Sequence, residues 1–460
     1  MKKQELIKKT LDEEHLKEQA RNISIEEGSA YSVMDGFGLR YMTPFALSIG
    51  ANNAQIGILT TLPTLLGSVS ELLSVDLMKI RKRKDIVIFG VIFQSLMWLA
   101  MLAIAASFFI FKINHGLAPA LTIIVFSLLI GAGLSVNPVW MSWMKDIVPV
   151  NYGQYLGTRN RITGIVALAA TLAAGFILDY FEKIEIFYGF AILFSIAFLG
   201  RLYSAVLFKK QYEPEYIEPK RKKEGFFHFL KTVWRTNYGH FAVFISLLSF
   251  AANIATPYFA VYMLTFLNYS KIEFGMVIIA AAISSIIFMP MWGRFEDAYG
   301  TKKTMKVTGI FTSAVALLWF ASYYVFIYNP SLIFPYTICL EFFSGFIWSG
   351  FNLAATNFIF DAVKREKVAS KTAYFHILNN FGGFAGAITG GIIASLSIFI
   401  WGIAAILFVM LLSFAGRLLV YLLLIGKVKE TRHHLKKFTI HEAKEKLLSL
   451  TPLSIFRILR

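Results

Sequence analysis

Hydrophobic residues in this chain fall in long unbroken runs, with neither the three-to-four spacing of a half-buried helix nor the strict alternation of a half-buried strand. Crossing ~30 Å of hydrocarbon takes roughly 20 apolar residues in a helix. About twelve stretches qualify by that measure, near 29–50, 54–75, 86–111, 117–143, 158–180, 186–208, 239–266, 272–293, 304–327, 331–358, 373–395 and 399–426. The runs are continuous, which excludes a β-barrel, whose strands would alternate. The pattern predicts an all-α polytopic membrane protein.

The pattern is also written twice. Thr43-Pro44-Phe45-Ala46 recurs as Thr256-Pro257-Tyr258-Phe259, and Gln55-Ile56-Gly57 as Glu273-Phe274-Gly275. Asp76 ahead of Arg81-Lys82-Arg83-Lys84 answers to Asp297 ahead of Lys302-Lys303. Asn137 and Asp146 answer to Asn352 and Asp361, Gly175 to Gly390, and Phe198-Leu199-Gly200-Arg201-Leu202 to Phe414-Ala415-Gly416-Arg417-Leu418. The offset stays within roughly 213 to 221 residues, as expected of a duplicated helical unit with small loop insertions. The expected organisation is a polar N-terminal segment (1–28), a six-helix bundle (29–208), a linker (209–238), a second six-helix bundle (239–426) and an amphipathic tail (427–460).

Composition agrees and adds orientation. The chain of 460 residues is 57% hydrophobic and 16% charged, with a formal net charge of +17. The short odd-numbered loops hold only Lys112, Lys183 and Lys271, whereas the even-numbered loops, the linker and both tails are rich in lysine and arginine. The positive-inside rule then places both termini in the cytoplasm of a multi-pass cell-membrane protein. The basic balance reports topology and contact with anionic lipids, and no nucleic-acid partner is expected. The single cysteine, Cys339, offers no disulfide framework. The polar N-terminus has no apolar core of the kind a cleaved signal peptide carries. Residues Phe226–Trp234 of the linker and the tail beyond Lys427 mix basic and apolar positions and are expected to lie on the membrane surface.

Local motifs carry a family resemblance. Gly293-Arg294-Phe295-Glu296-Asp297-Ala298-Tyr299-Gly300-Thr301-Lys302-Lys303 resembles the signature G-x-x-x-D-x-x-G-x-[RK]-[RK] of the major facilitator superfamily, in which glycines allow a tight turn between antiparallel helices. In the first half only Asp76 and the basic run match, because Leu72 and Lys79 occupy the glycine positions. Trp143-Met144-Lys145-Asp146-Ile147-Val148-Pro149 through Tyr155-Leu156-Gly157-Thr158-Arg159-Asn160-Arg161 is similar to a stretch found in a branch of that superfamily with no settled substrate. The resemblance implies two pseudo-symmetric six-helix bundles, with spans 1, 4, 7 and 10 around a central cavity. It also implies a cytoplasmic gate containing Glu71, Asp76, Asp146, Arg159, Gly293, Asp297, Gly300, Lys302 and Asp361, with Asp146 and Arg159 paired when that gate is closed. Two hallmarks are absent: an arginine within span 4 and a glycine-proline-rich antiporter motif in span 5.

Ionisable groups inside hydrocarbon cost at least ~2.5–3.5 kcal/mol each, so each needs a reason. Arg40 lies near the middle of span 1, Asp35 ~10 Å in from its end, and Glu341 about ten residues into span 10. Arg40 could bind an anionic solute or compensate Glu341, and Asp35 or Glu341 could couple protons. Five residues apart on a regular helix, Asp35 and Arg40 stand roughly 140° apart and are not expected to face one cavity. Arg201 and Arg417, at matching repeat positions, are expected to snorkel to the headgroups. Glu341, Gly345, Trp348 and Asn352 share one face of span 10, as do Gly133, Asn137 and Trp140 of span 4, and Asn253 lies in span 7; these are the candidate cavity lining. Tryptophan and asparagine also glue helices together in lipid, so packing is the alternative.

No histidine set has metal-ligand spacing and no phosphate-binding loop occurs, so neither a metal nor another cofactor is expected, and no enzyme chemistry. The expected activity is secondary active transport of a small organic solute by alternating access, with proton coupling, by a monomer in contact with membrane lipids. The alternative is a lipid translocase or membrane sensor on the same fold.

Overall fold

A computed structural model of the chain describes residues 2–112, 116–148, 150–215, 225–363, 367–396, 399–400 and 403–432. Among these, eleven helices are long and apolar enough to cross a membrane. In the first half they are α3 (Asn53–Leu77), α4 (Arg83–Phe109), α5 (Ala118–Ile147), α6 (Tyr152–Glu182) and α7 (Ile186–Lys210), preceded by α1 (Lys2–Phe37) and α2 (Met42–Ser48). The linker carries the short α8 (Phe226–Thr232). The second half contains α9 (Asn237–Asn253), α10 (Thr256–Val261), α11 (Lys271–Tyr299), α12 (Thr301–Tyr328), α13 (Ile333–Ala362), α14 (Val368–Ala394) and α15 (Ala405–Leu424). Strands β1 (Phe399–Ile400) and β2 (Ile403–Ala404) pair antiparallel between α14 and α15.

The expected twelfth span is present in broken form. Span 1 is interrupted at 38–41, where α1 gives way to one 3-10 turn before α2 begins, so no single long apolar helix covers 29–50. Span 7 breaks at the matching place, between Asn253 and Thr256, and then passes through a π-turn over Tyr262–Phe266. The cause is in the repeated Thr-Pro: Pro44 and Pro257 lack the N–H that an uninterrupted helix would need there, and both sit in the first turn of a new helix, where that loss costs nothing. Matched breaks in the first helix of each half put irregular backbone at mid-depth in both.

The turn signature resolves unequally. α11 and α12 are joined by Gly300 alone, with φ +90° and ψ 162°, a conformation essentially reserved for glycine. Gly293, in contrast, lies inside α11 with its Cα edge toward Leu353, so it serves helix packing and not the turn. The first half connects α3 to α4 through residues 78–82 with no positive φ, and Lys79 at the glycine position is thereby explained. Gly300→Ala is expected to lower stability by about 1–3 kcal/mol, read as a lower melting temperature in detergent, while Lys79→Ala leaves it unchanged.

By contacts the chain divides into two compact units: residues 1–220, 253–276 and 376–409, and residues 221–252, 277–375 and 410–460. The first has an aromatic core in which Phe45 meets Phe190 and Phe194 edge-on at 5.1 and 4.9 Å, beside the fully buried Trp98. In the second, Phe241 stacks on Phe358 and Phe375 at 4.5 and 5.4 Å.

Candidate functional site

The first unit encloses a cavity of about 440 Å³ between α1, α3, α4, α5, α6 and α7. Its charged lining is Glu27, Arg159 and Arg201. Glu27, 3% exposed, takes Arg201 Nη1 and Ser204 Oγ on one oxygen at 3.2 and 2.7 Å and Arg159 Nη2 on the other at 3.2 Å. Arg201, also 3% exposed, further donates from Nε to Gln94 Oε1 at 2.6 Å. Arg159 donates from Nε to the Ser24 carbonyl, and its guanidinium lies over the Trp140 ring at 4.6 Å from the centroid. Asn137 and Trp140 also line this space.

One expectation is overturned here. Arg201 does not snorkel: it is the centre of a buried network joining α1, α4 and α7. Its repeat mate Arg417, 1% exposed, is likewise buried, donating to the carbonyls of Thr312 and Ala252 at 2.8 and 3.2 Å and to Ser413 Oγ at 3.0 Å. In both repeats, a guanidinium from the sixth helix ties the first and third helices together, because that position faces inward. Asp146 and Arg159, expected to pair in the state with the cytoplasmic gate closed, have other partners here: Arg159 holds Glu27, and Asp146 holds Arg83 Nη1 at 2.6 Å.

Asp35 and Arg40 form an ion pair at 3.1 Å, with Arg40 Nε at 3.2 Å from the same oxygen. The expectation that they diverge assumed a continuous helix; the break at 38–41 turns Arg40 back onto Asp35. Arg40 therefore has a local partner in Asp35. Within the second unit Glu341 accepts a hydrogen bond from Trp319 Nε1 at 3.0 Å and, among the described residues, stands in no ion pair. Elsewhere on its helix face, Gly345 packs against α11, where an added Cβ would come within 2.1 Å of the Ala281 carbonyl. Trp348 meets Phe351 edge-on at 5.7 Å, and Asn352 is exposed, as is its mate Asn137. Asn253 sits at the break between α9 and α10.

The gate candidates group into two matched clusters whose cations differ. In the first unit, Arg83 at the start of α4 reaches Asp146, the Pro214 carbonyl at 3.1 Å and Glu213 at 3.5 Å. In the second, Arg432 beyond α15 reaches Asp361 at 2.6 Å, Glu296 at 2.8 Å and Asp297 at 3.3 Å. Burial works against the charge of Arg432, but its hydrogen bond to Asp361 and the three carboxylates outweigh that, and its pKa lies above the ordinary arginine value. Glu430 accepts from Lys302 N at 2.9 Å and Thr301 Oγ1 at 3.1 Å, capping α12; Glu213 accepts from Lys84 N at 3.4 Å at the equivalent end of α4. Asp76 pairs locally with Lys79 at 2.7 Å, and Glu71 lies 3.6 Å from His376 of α14. Reading the sequence missed Glu27, Glu213, Glu296, Glu430 and Arg432. The signal available was repetition itself, since Glu213 and Glu430 follow Arg201 and Arg417 by nearly equal distances.

On the face opposite the linker, the first unit knits the ends of helices from both repeats. Asp179 of α6 accepts from the backbone N–H of Lys271 and Ile272, the first residues of α11, at 2.6 and 3.0 Å. Lys271 Nζ pairs with Glu182 at 2.8 Å, and Asn53 Nδ2 donates to the Ala394 carbonyl at 2.7 Å. Backbones touch closely there: a Cβ on Gly175 would stand 2.9 Å from Ile272 Cα, and one on Gly57 2.7 Å from the Ala387 carbonyl.

The family model described as Major Facilitator Superfamily matches residues 28–266 and again 240–460. A lactose permease of Klebsiella pneumoniae is 29% identical over 98 residues, covering 21% of this chain and 72% of that sequence. Among solved structures, a nucleoside transporter superposes with a TM-score of 0.69 at 13% identity, covering 90% of this chain and 100% of its own. A D-xylose-proton symporter gives 0.64 at 12% identity, covering 91% and 98%. At such identities the superpositions show a shared fold.

Proposed function

The chain belongs to the major facilitator superfamily, and from that premise we propose that it is a secondary active transporter moving a small organic solute across the cell membrane by alternating access. Both termini are cytoplasmic in this reading, in line with the lysine and arginine of the linker side. The observation that carries it is the seal on the opposite face. Asp179, Asn53 and Lys271 join the two repeats through a handful of polar contacts around close-packed glycines, a join small enough to break and reform. Support for an organic solute comes from the partly polar cavity and from fold relatives named for nucleoside transport and D-xylose-proton symport. The test is gradient-driven uptake into proteoliposomes across a panel of sugars, nucleosides, acids and amines; the absence of flux for every class under proton and sodium gradients would sink it.

The seal makes its own prediction. A carboxylate accepting two N–H bonds at a helix start is worth about 1.5–3 kcal/mol, so Asp179→Ala is expected to shift the closed-to-open ratio of that face by about tenfold or more. Maleimide labelling of Leu47→Cys, beside the seal, in a Cys339→Ser background reads this directly, and unchanged labelling rates would count against a gating role.

A further inference from the structure

We infer that the first-unit cavity binds an organic monoanion, a carboxylate with an apolar body, held by Arg159. The inference rests on the transporter reading above and names the solute class for its cavity.

The hydrogen-bonding capacity of the walls gives the argument. The acceptors are engaged: both Glu27 oxygens already receive donors, and Gln94 Oε1 holds Arg201. The unengaged groups are mostly donors. Trp140 keeps its indole N–H buried with no acceptor. Arg159 uses Nε and Nη2 on Ser24 and Glu27, which leaves Nη1 for a ligand. The Tyr31 hydroxyl and the Asn137 amide, which can donate as well as accept, also line the space and have no hydrogen-bond partner among the described residues. A buried donor with no acceptor costs about 1–3 kcal/mol, so a ligand rich in acceptors fits this wall and one rich in donors does not.

Charge points the same way. Two guanidiniums and one carboxylate leave the lining at +1, which a monoanion neutralises. The Trp140 ring under the Arg159 guanidinium, 4.6 Å from its centroid, helps hold that cation on the cavity wall, where a carboxylate can meet it. Ile130, Leu134 and Phe208 supply an apolar wall for the body of the solute. On binding, the solute carboxylate takes Arg159 Nη1 beside Glu27; Arg201, held through Nε and Nη1 by Gln94, Glu27 and Ser204, keeps the frame in place and leaves Nη2 as a second donor on the wall.

The experiment compares isosteric probes on the purified full chain: benzoate, benzyl alcohol and benzylamine, with hexanoate as a second carboxylate, each titrated into the low millimolar range. Binding to the folded state raises the melting temperature by mass action. Benzoate and hexanoate are expected to stabilise and the alcohol and amine are not, and Arg159→Gln weakens the carboxylate response about 10- to 100-fold. Because Arg159 also holds Ser24 and Glu27, Trp140→Phe and Tyr31→Phe, which keep the rings, provide a second test: each weakens benzoate binding without lowering the unliganded melting temperature. Stabilisation by the amine, equal stabilisation by the alcohol, no shift with either carboxylate, or a benzoate shift that survives Arg159→Gln overturns the inference. Vesicles that carry a neutral solute but never respond to a carboxylate sink this inference and leave transport standing. Arg159-dependent benzoate binding with no flux of any solute supports the site and removes the transporter reading.

Discussion

Arg201→Met is expected to destabilise the folded protein by about 3–5 kcal/mol, the cost of stripping one partner from a buried ion pair. Glu27, 3% exposed, would keep Arg159 as its one cation beside the Ser204 hydroxyl, and Gln94 Oε1 and Ser204 would lose their shared donor. Arg417→Met makes the discriminating comparison. Arg417 is equally buried, but it donates to two carbonyls and a hydroxyl, and among the described residues it stands in no ion pair. Its removal leaves acceptors unsatisfied without breaking a direct ion pair, so the expected loss is smaller, about 1–3 kcal/mol. Adding Glu27→Gln to Arg201→Met is expected to recover part of the loss, since no carboxylate is then left buried. Melting curves in a single detergent read all three. Two equally mild single variants would instead indicate that both arginines reach the headgroups in the membrane.

The contrast between these mates shows what the sequence made legible and what it hid. Depth and position were readable: repeat mates Asp146 and Asp361 end matching helices, and the repeated Thr-Pro marks matching breaks. Partners were not, because a partner is fixed by helix rotation and by which neighbouring chain segment returns to the site. Asp146 finds its cation at the start of the third helix and Asp361 finds its own beyond the twelfth, so a search confined to repeat mates misses Arg432. Asp35 and Arg40 were misjudged for a related reason, since a helical wheel holds only while the helix is continuous. Glu27 sits in a polar stretch that reads as an extramembranous segment. Only the closure of α6 and α7 over α1 turns that polar residue into the centre of a buried network. The glycine signature shows the reverse case, in which chemistry alone decides: a one-residue connection demands Gly300, and a five-residue connection tolerates Lys79.

Glu341→Gln is expected to uncouple transport from the proton gradient while preserving the fold. Of the carboxylates within the membrane helices, Glu27 holds Arg159 and Arg201, Asp35 holds Arg40, and Glu71 lies 3.6 Å from His376. Glu341 has a neutral hydrogen-bond partner, the Trp319 indole N–H. A carboxylate with no cation in direct contact can gain and lose a proton without breaking an ion pair, and so it is the group suited to coupling. Glutamine keeps the carbonyl oxygen that Trp319 donates to and removes only the titratable function. For one proton per solute, each pH unit supports about tenfold accumulation. The wild type should therefore concentrate its solute in proteoliposomes under an imposed pH gradient, and Glu341→Gln should stop at equal concentrations inside and out. Exchange of labelled for unlabelled solute, which needs no net proton movement, should persist in the variant. Asp35→Asn is expected to leave gradient dependence intact, because Asp35 answers to Arg40. If instead Asp35→Asn uncouples and Glu341→Gln accumulates solute like the wild type, the coupling site moves to the broken first helix.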